Sequence, residues 1–339
     1  MGAVRLIDVA KAAGVSQGTV SNVFNRPELV RETVREKVLA CAEALGYRGP
    51  DPAGRLLRAG RVGAIGVVTS NPVEYFFEDP FARVFMSGVA SAASRAGSGL
   101  MLISSRDTAS AERVIANALV DSFIVLCAEE GDPLAIAAGR RGLPLVRVDA
   151  PASESASGLV VDDREGARLA ASHLLGLGHR SLAAVVAPMD RSTDHYCGAA
   201  PTRLDGYRDA LAAVGLPRES LTVLESGADR NLIRRFMIDS WQGSEPVTAI
   251  LAMSDRIAFE VLDVASSLGL DVPDDVSVVG FDDVPEAKTS RPPLTTVRQP
   301  VEEKGRLAVE LLSAQRTRTV TLPVELVVRA SSAAPPARR

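Results

Sequence analysis

The stretch Ile7-Asp8-Val9-Ala10-Lys11-Ala12-Ala13-Gly14-Val15-Ser16-Gln17-Gly18-Thr19-Val20-Ser21-Asn22-Val23-Phe24-Asn25 reads as two short helices joined by a glycine turn. Ile7, Val9, Ala10 and Ala13 give the first an apolar stripe, Gly14-Val15 makes the break, and Ser16 is a good N-cap for the second. The small side chain of Ala10 allows a close helix crossing, with Val15 and Val20 filling the space between. Val20, Val23 and Phe24 then recur at helical spacing. Gln17, Thr19, Ser21 and Asn22 face outward at the start of the second helix, from which side chains reach base edges in a major groove. A small helical packing unit with solvated polar residues has the same pattern, so both readings stand on pattern alone. A third helix is expected over 32–45, packing with Val34, Val38, Leu39 and Ala42 and stopped by Gly46.

Outward from this head, 1–49, residues 50–62 form a hinge or linker with two prolines at its start and a glycine near its end. From Ala64 the pattern becomes short apolar runs alternating with helices. Strands are expected over 64–69, 100–104, 123–126, 145–148, 158–161, 182–186, 222–225, 249–252 and 277–281. Helices are expected over 81–96, 111–119, 163–177, 203–214 and 255–268. Such alternation with near-continuous apolar strands means parallel sheets covered on both faces, in an α/β domain over 63–330. Open sheets of this kind bind ligands at the carboxyl ends of their strands. The tail, 331–339, is expected to be disordered.

Composition narrows the function classes. The chain has 339 residues, 46% of them hydrophobic, enough for more than one core. No run of eighteen uncharged apolar residues occurs, and Asp8 falls where a signal peptide needs its apolar stretch, so a cytoplasmic protein is expected. Cys41, Cys127 and Cys197 are odd in number and far apart, and His173, His179 and His195 make no ligand pair with them. No metal or cofactor is therefore expected. Net charge is −4; residues 1–60 carry nine basic and six acidic side chains, +3, which leaves −7 for the remainder. That asymmetry is a weak hint of nucleic-acid contact by the head.

Several enzyme-like fragments fail on context. Gly14-Val15-Ser16-Gln17-Gly18 matches a hydrolase nucleophile elbow as a string, but a helix, not a strand, precedes Ser16. Asp162-Asp163, Asp274-Asp275 and Asp282-Asp283 are adjacent pairs, and neighbours on a strand point to opposite faces. His179 follows a glycine at a helix end, where a histidine usually bonds the last carbonyls. No catalytic set emerges, and the chain is read as a non-enzyme.

The opening stretch, with Thr33-Val34-Arg35-Glu36-Lys37-Val38 and Leu45-Gly46-Tyr47-Arg48, resembles the DNA-binding end of the LacI/GalR family of repressors. The resemblance continues through Asp163-Arg164-Glu165-Gly166-Ala167, His173-Leu174-Leu175-Gly176-Leu177-Gly178-His179-Arg180, Arg203-Leu204-Asp205-Gly206-Tyr207, the block 272–283 and the block 292–300. It implies base reading by Gln17, Gly18 and Asn22, with Thr19, Ser21 and Asn25 as phosphate contacts or caps. Gly18 offers no side chain, and Asn22 stands where the family very often has Arg, which leaves the operator sequence open. In the linker, Leu57 matches the family's minor-groove wedge, with Arg55 and Arg58 at phosphates. Gly54 stands where the family usually has Ala, at a cost of about 0.8–1 kcal/mol in helix propensity. A plain flexible linker is the other reading of this segment.

For the α/β domain, the resemblance implies a small-molecule effector, a sugar, sugar derivative or purine, held between two lobes by Arg203 and Asp282. Asp149 faces the same cleft by that pattern. Ser254-Asp255 stands where sugar-responsive members often have Asn-Asp. The loop 70–81 is longer than the family's. Its aromatics, Tyr75, Phe76, Phe77 and Phe81, are candidates to stack on a sugar or base face, although packing beneath a helix explains Phe81 and Phe85 as well, and Trp241 is a further candidate for the cleft wall. The family's topology crosses between lobes three times, with one lobe at 63–161 plus a return near 301–319 and the other at 162–296 plus 320–330. The expected unit is a homodimer on a palindromic double-stranded DNA operator. Two rivals share the core: a solute-binding receptor, which has no use for residues 1–60, and an enzyme working in the cleft.

Overall fold

The computed structural model describes residues 4–49, 61–105, 108–127, 131–189, 198–243 and 246–336, in two compact units, 1–62 and 63–339. The first unit holds α1 (Leu6–Ala13), α2 (Gln17–Asn25) and α3 (Glu32–Leu45). Its core is Val9, Ala10, Ala13, Val20, Val23, Val38 and Ala42, with Val15, Phe24 and Tyr47 packed against it. Phe24 and Tyr47 meet edge to face, centroids 5.6 Å apart. Leu39, expected in this core, is 44% exposed, because Val38 and Ala42 take the inward face. Ile7 is only half-buried.

The second unit contains two six-stranded sheets. In the first lobe, β1 (Ala64–Thr69), β2 (Gly99–Ser104), β3 (Ser122–Leu126), β4 (Leu145–Val148) and β5 (Ser157–Val161) are joined by β11 (Thr319–Leu322), in the order β11-β5-β4-β3-β1-β2. Every pairing there is parallel. The second lobe has β6 (Leu182–Val186), β7 (Thr222–Glu225), β8 (Ala249–Ala252), β9 (Ser277–Asp282), β10 (Thr295–Arg298) and β12 (Glu325–Val327), in the order β12-β10-β9-β8-β6-β7. It is parallel except for β12, which pairs antiparallel with β10 at the edge. The fully buried runs in β3 and β6 are what a sheet covered on both faces requires.

The helices are α4 (Tyr75–Glu78), α5 (Pro80–Arg95), α6 (Thr108–Asn117), α7 (Pro133–Arg140), α8 (Asp163–Gly176), α9 (Ala199–Ala213), α10 (Arg230–Trp241), α11 (Asp255–Ser267) and α12 (Val301–Leu311). Two helix pairs approach closely through glycine. A Cβ on Gly88 of α5 would lie 2.0 Å from the Glu302 carbonyl oxygen of α12, and one on Gly305 would lie 2.1 Å from that of Phe85. In the other lobe, a Cβ on Gly206 of α9 would meet the Arg164 carbonyl of α8 at 2.2 Å.

The chain passes between lobes after β5, after β10 and after β11. The return to the first lobe therefore extends through Leu322, not 319, because β11 continues the ladder from Thr319 opposite Gly158 to Leu322 opposite Val161. The expected disordered tail is also corrected over 331–336, where the backbone is docked on the second lobe. Ser331 is fully buried; its backbone C=O accepts from Val278 N (2.7 Å), and its hydroxyl donates to the Val278 carbonyl and accepts from Thr295 N (2.8 Å). His179, expected at the last carbonyls of its helix, instead bonds Thr248 Oγ1 and the Ala333 carbonyl, each at 2.9 Å. Residues 337–339 lie outside the described residues. Ser331→Ala strands the buried Thr295 N–H and Val278 carbonyl, and is expected to lower unfolding free energy by about 1–3 kcal/mol, read from the urea midpoint.

Candidate functional site

In the head, the turn between α1 and α2 is set by Gly14 in the left-handed region (φ 63°), with Val15 N donating to the Ala10 carbonyl at 3.0 Å. Ser16 caps α2 by accepting from Thr19 N at 3.0 Å, and its hydroxyl meets that of Thr19 at 2.9 Å. Asn25 donates back to the Ser21 carbonyl (2.9 Å) and hydroxyl (3.2 Å). Thr19, Ser21 and Asn25 thus take part in local hydrogen bonds. Gln17 and Gly18 are exposed and Asn22 is half-buried at the amino-terminal half of α2. Arg55, Leu57 and Arg58 lie outside the described residues.

In the larger unit, a cavity of about 510 Å³ opens between the lobes, the size of a metabolite site. Arg203, carried inward by α9, is 6% exposed. Its Nε donates to Asp163 Oδ1 at 2.8 Å, Nη1 donates to the Met253 carbonyl at the end of β8, and the guanidinium lies 3.5 Å from the centroid of the Phe281 ring. Asp282 ends β9 with φ 127° and accepts from Gln299 Nε2 at 2.7 Å. Burial pushes its carboxyl up to about 7, against the opposing pull of Arg203 and Gln299. Asp149, past the end of β4 with φ 61°, accepts from Lys304 Nζ at 2.6 Å. Ser254 lines the cavity while its hydroxyl caps α11 through Ile257 N. Phe81 lines it too, stacked on Phe85 with centroids 6.4 Å apart.

Arg203, Asp282, Asp149, Ser254 and Phe81 are therefore brought to one cavity, and two expected residues are not. Asp255 is fully buried behind it, accepting from Thr296 Oγ1 and from Val284 N (2.9 Å), and burial raises its carboxyl well above the usual range. Its role is to tie the start of α11 to β10 and the loop after β9. Trp241, at the end of α10, is 42% exposed and does not line the cavity, since α10 buries Ile233 and Met237 instead.

Tyr75 of the loop 70–81 lines the cavity as well; sequence reasoning missed Gln299, Asp79 and Arg256 in the lining, and Lys304 beneath it. Asp79 caps α5 through Ala82 N (3.1 Å) and meets Arg256 Nη1 of the opposite lobe at 3.3 Å. Lys304 had a legible signal: it falls three residues after Val301 and four before Ala308, on the inward stripe of α12. The adjacent acids also separate, as expected of strand neighbours. Asp282 meets Gln299, whereas Asp283 meets Arg298 Nε (2.6 Å) and Arg329. Among the described residues no group of His, Cys, Asp and Glu is disposed to hold a metal, and no helix is long and apolar enough to cross a membrane.

Comparison with known proteins decides the family. Residues 5–49 match the model of bacterial regulatory proteins, lacI family, and residues 171–332 match a periplasmic binding protein-like domain. The HTH-type transcriptional regulator Rv3575c of Mycobacterium tuberculosis is 37% identical over 98% of this chain and 97% of its own length. The chain belongs to the LacI family. Another member, the HTH-type transcriptional regulator CelR of Thermobifida fusca, is 34% identical over 94% of each chain. Among solved LacI-family structures, a CelR–cellobiose complex superposes with TM-score 0.68 at 30% identity, covering 97% of this chain and all of that one. A lac repressor dimer bound to operator and the anti-inducer ONPF gives TM-score 0.77 at 25% identity, covering 98% and 100%. The chain is thus a transcriptional regulator of LacI type, with a helix-turn-helix head and two parallel-sheet lobes.

Proposed function

We propose that this LacI-family regulator represses transcription as a cytoplasmic homodimer on a palindromic operator, and that a sugar or related metabolite in the interlobe cavity controls its hold on DNA. The observation that carries the DNA half is the amino-terminal face of α2, where Gln17, Gly18 and Asn22 are not needed for the head's core. Gln17 and Asn22 read bases, Thr19, Ser21 and Asn25 meet phosphates beside their capping bonds, and Arg55, Leu57 and Arg58 act at the hinge. The cavity with Arg203, Asp282, Asp149, Ser254 and Phe81 supports the effector half. The lac repressor dimer on its operator and the cellobiose complex of CelR are the precedents for DNA and sugar. No chemistry is assigned to the cleft, because Asp282, Asp149 and Asp79 are tied to Gln299, Lys304 and Arg256.

A gel shift of the full chain and of the chain lacking 1–62, on a palindromic duplex from beside its own gene, tests this reading. The full chain is expected to bind specifically and the truncated chain not at all. Asn22→Ala is expected to cost about 1–3 kcal/mol of operator affinity with little change on random duplex. Equal loss on both duplexes would remove Asn22 from base reading.

A further inference from the structure

Lys304 is fully buried, on an α12 whose inward neighbours are apolar, and an ammonium in such a place requires acceptors. Nζ donates to Asp149 Oδ1 at 2.6 Å and to Gln299 Oε1, and it lies 5.3 Å from the centroid of the Phe81 ring. An ammonium donates only, so Gln299 must present its oxygen to Lys304 and its NH2 to the other side. That NH2 donates to Asp282 Oδ1 at 2.7 Å. One buried cation therefore orients a residue of each lobe: Asp149 directly and Asp282 through Gln299. Asp149, Asp282 and Gln299 all line the cavity, while Lys304 sits behind them.

Among the described residues, the cations that line the cavity are already committed. Of its described charged lining residues seven are acids and two are arginines. Arg203 is paired with Asp163 (2.7 Å) and Arg256 with Asp79 (3.3 Å). An entering phosphate or carboxylate would have to displace a protein carboxylate or lose its hydration with no new counter-charge. The floor offers no site for an ammonium either, because Asp149 faces Lys304 and Asp282 feels Arg203. What remains is a set of fixed acceptors suited to hydroxyl donors, beside the ring of Phe81.

We infer that Lys304 is a positioning residue that sets the hydrogen-bonding polarity of this cleft, and that the effector is an uncharged, hydroxyl-rich molecule rather than a phosphorylated or carboxylated one. This rests on the effector reading above and narrows it.

Calorimetry on the full chain with D-ribose, D-glucose and cellobiose, against ribose 5-phosphate, glucose 6-phosphate and gluconate, tests the inference. At least one neutral sugar is expected to bind, with its charged derivative weaker by roughly a hundredfold. In K304M the neutral sugar is expected to bind roughly tenfold or more weakly, and its charged derivative to gain nothing relative to it, because Asp149 loses its counter-charge. K304R keeps a cation, and Q299E keeps the Lys304 contact but loses the donor to Asp282; if K304M does not fold, the same loss is expected in Q299E. An anion that matches or exceeds its parent sugar overturns the inference. So does a silent neutral panel, or a folded K304M or Q299E that binds the neutral sugar as tightly as wild type. Operator release by glucose 6-phosphate alone would sink this inference and leave the regulator standing, whereas sugar binding without any operator binding would do the reverse.

Discussion

Arg203→Ala is expected to lower unfolding free energy by about 3–5 kcal/mol, the usual penalty for removing one partner of a buried ion pair. The side chain is 8% exposed and its partner Asp163 16%, so water replaces little of what is lost. Three features depend on the guanidinium: the Asp163 pair, the cap on the Met253 carbonyl and the face of Phe281. Asp282 also loses the cation that opposes its desolvation, so its carboxyl should rise further above about 7. Because a raised carboxyl favours the protonated folded state, that contribution is present at low pH and fades as pH rises through the folded value. Urea titrations of wild type and Arg203→Ala at pH 7 check the main effect. An unchanged midpoint would show that Arg203 serves ligand alone. Arg203→Lys, which keeps the charge but not the planar fork, is therefore the better variant for asking whether Arg203 senses effector.

Gly88→Ala and Gly305→Ala are each expected to cost at least about 3 kcal/mol, beyond ordinary overpacking, because the added methyl meets backbone and not a movable side chain. The Cβ positions fall 2.0 Å from the Glu302 oxygen and 2.1 Å from the Phe85 oxygen, reciprocal halves of one contact between α5 and α12. The double variant should therefore cost less than the sum, since either methyl alone already forces the helices apart. Gly176→Ala is the control: it lies at the end of α8 with nothing within 4 Å of its Cβ, and should be neutral or slightly stabilising. Thermal unfolding of wild type and the four variants side by side measures all of this. If Gly88→Ala melts with the control, the two helices are not in contact through these glycines.

The residues disclose the fold where burial is on both faces. Every strand expected from an apolar run is present, from Ala64–Thr69 to Ser277–Asp282, with ends displaced by a residue at most. The strands that went unseen carry polar side chains. Thr319–Leu322 and Glu325–Val327 are partly exposed edges. Thr295–Arg298 is buried although it begins with two threonines, because the tail supplies Ser331 and Ser332 as hydroxyl partners for Thr295. Local signals for α7 and α10 were present in Asp132-Pro133 and Asp229, which cap those helices, and only α7, at eight residues, is short. Position 304 was legible as inward-facing, but its occupant was not legible as a site residue, since the partner that makes it one, Asp149, lies 155 residues away. Trp241 illustrates the converse: a solitary large aromatic attracts attention, yet here its helix turns it outward.

The three passages of the chain between lobes also constrain how such proteins can diverge. A gene segment for 63–161 encodes five strands of one sheet but neither Val301–Leu311 nor Thr319–Leu322, which complete that lobe from the far end of the sequence. Neither half of the clamp exists as a continuous stretch that recombination can lift out intact. New ligand preferences must therefore arise by point substitution along the cavity wall or by exchange of the whole of 63–339, whereas the head, encoded as one uninterrupted block, is free to be traded alone.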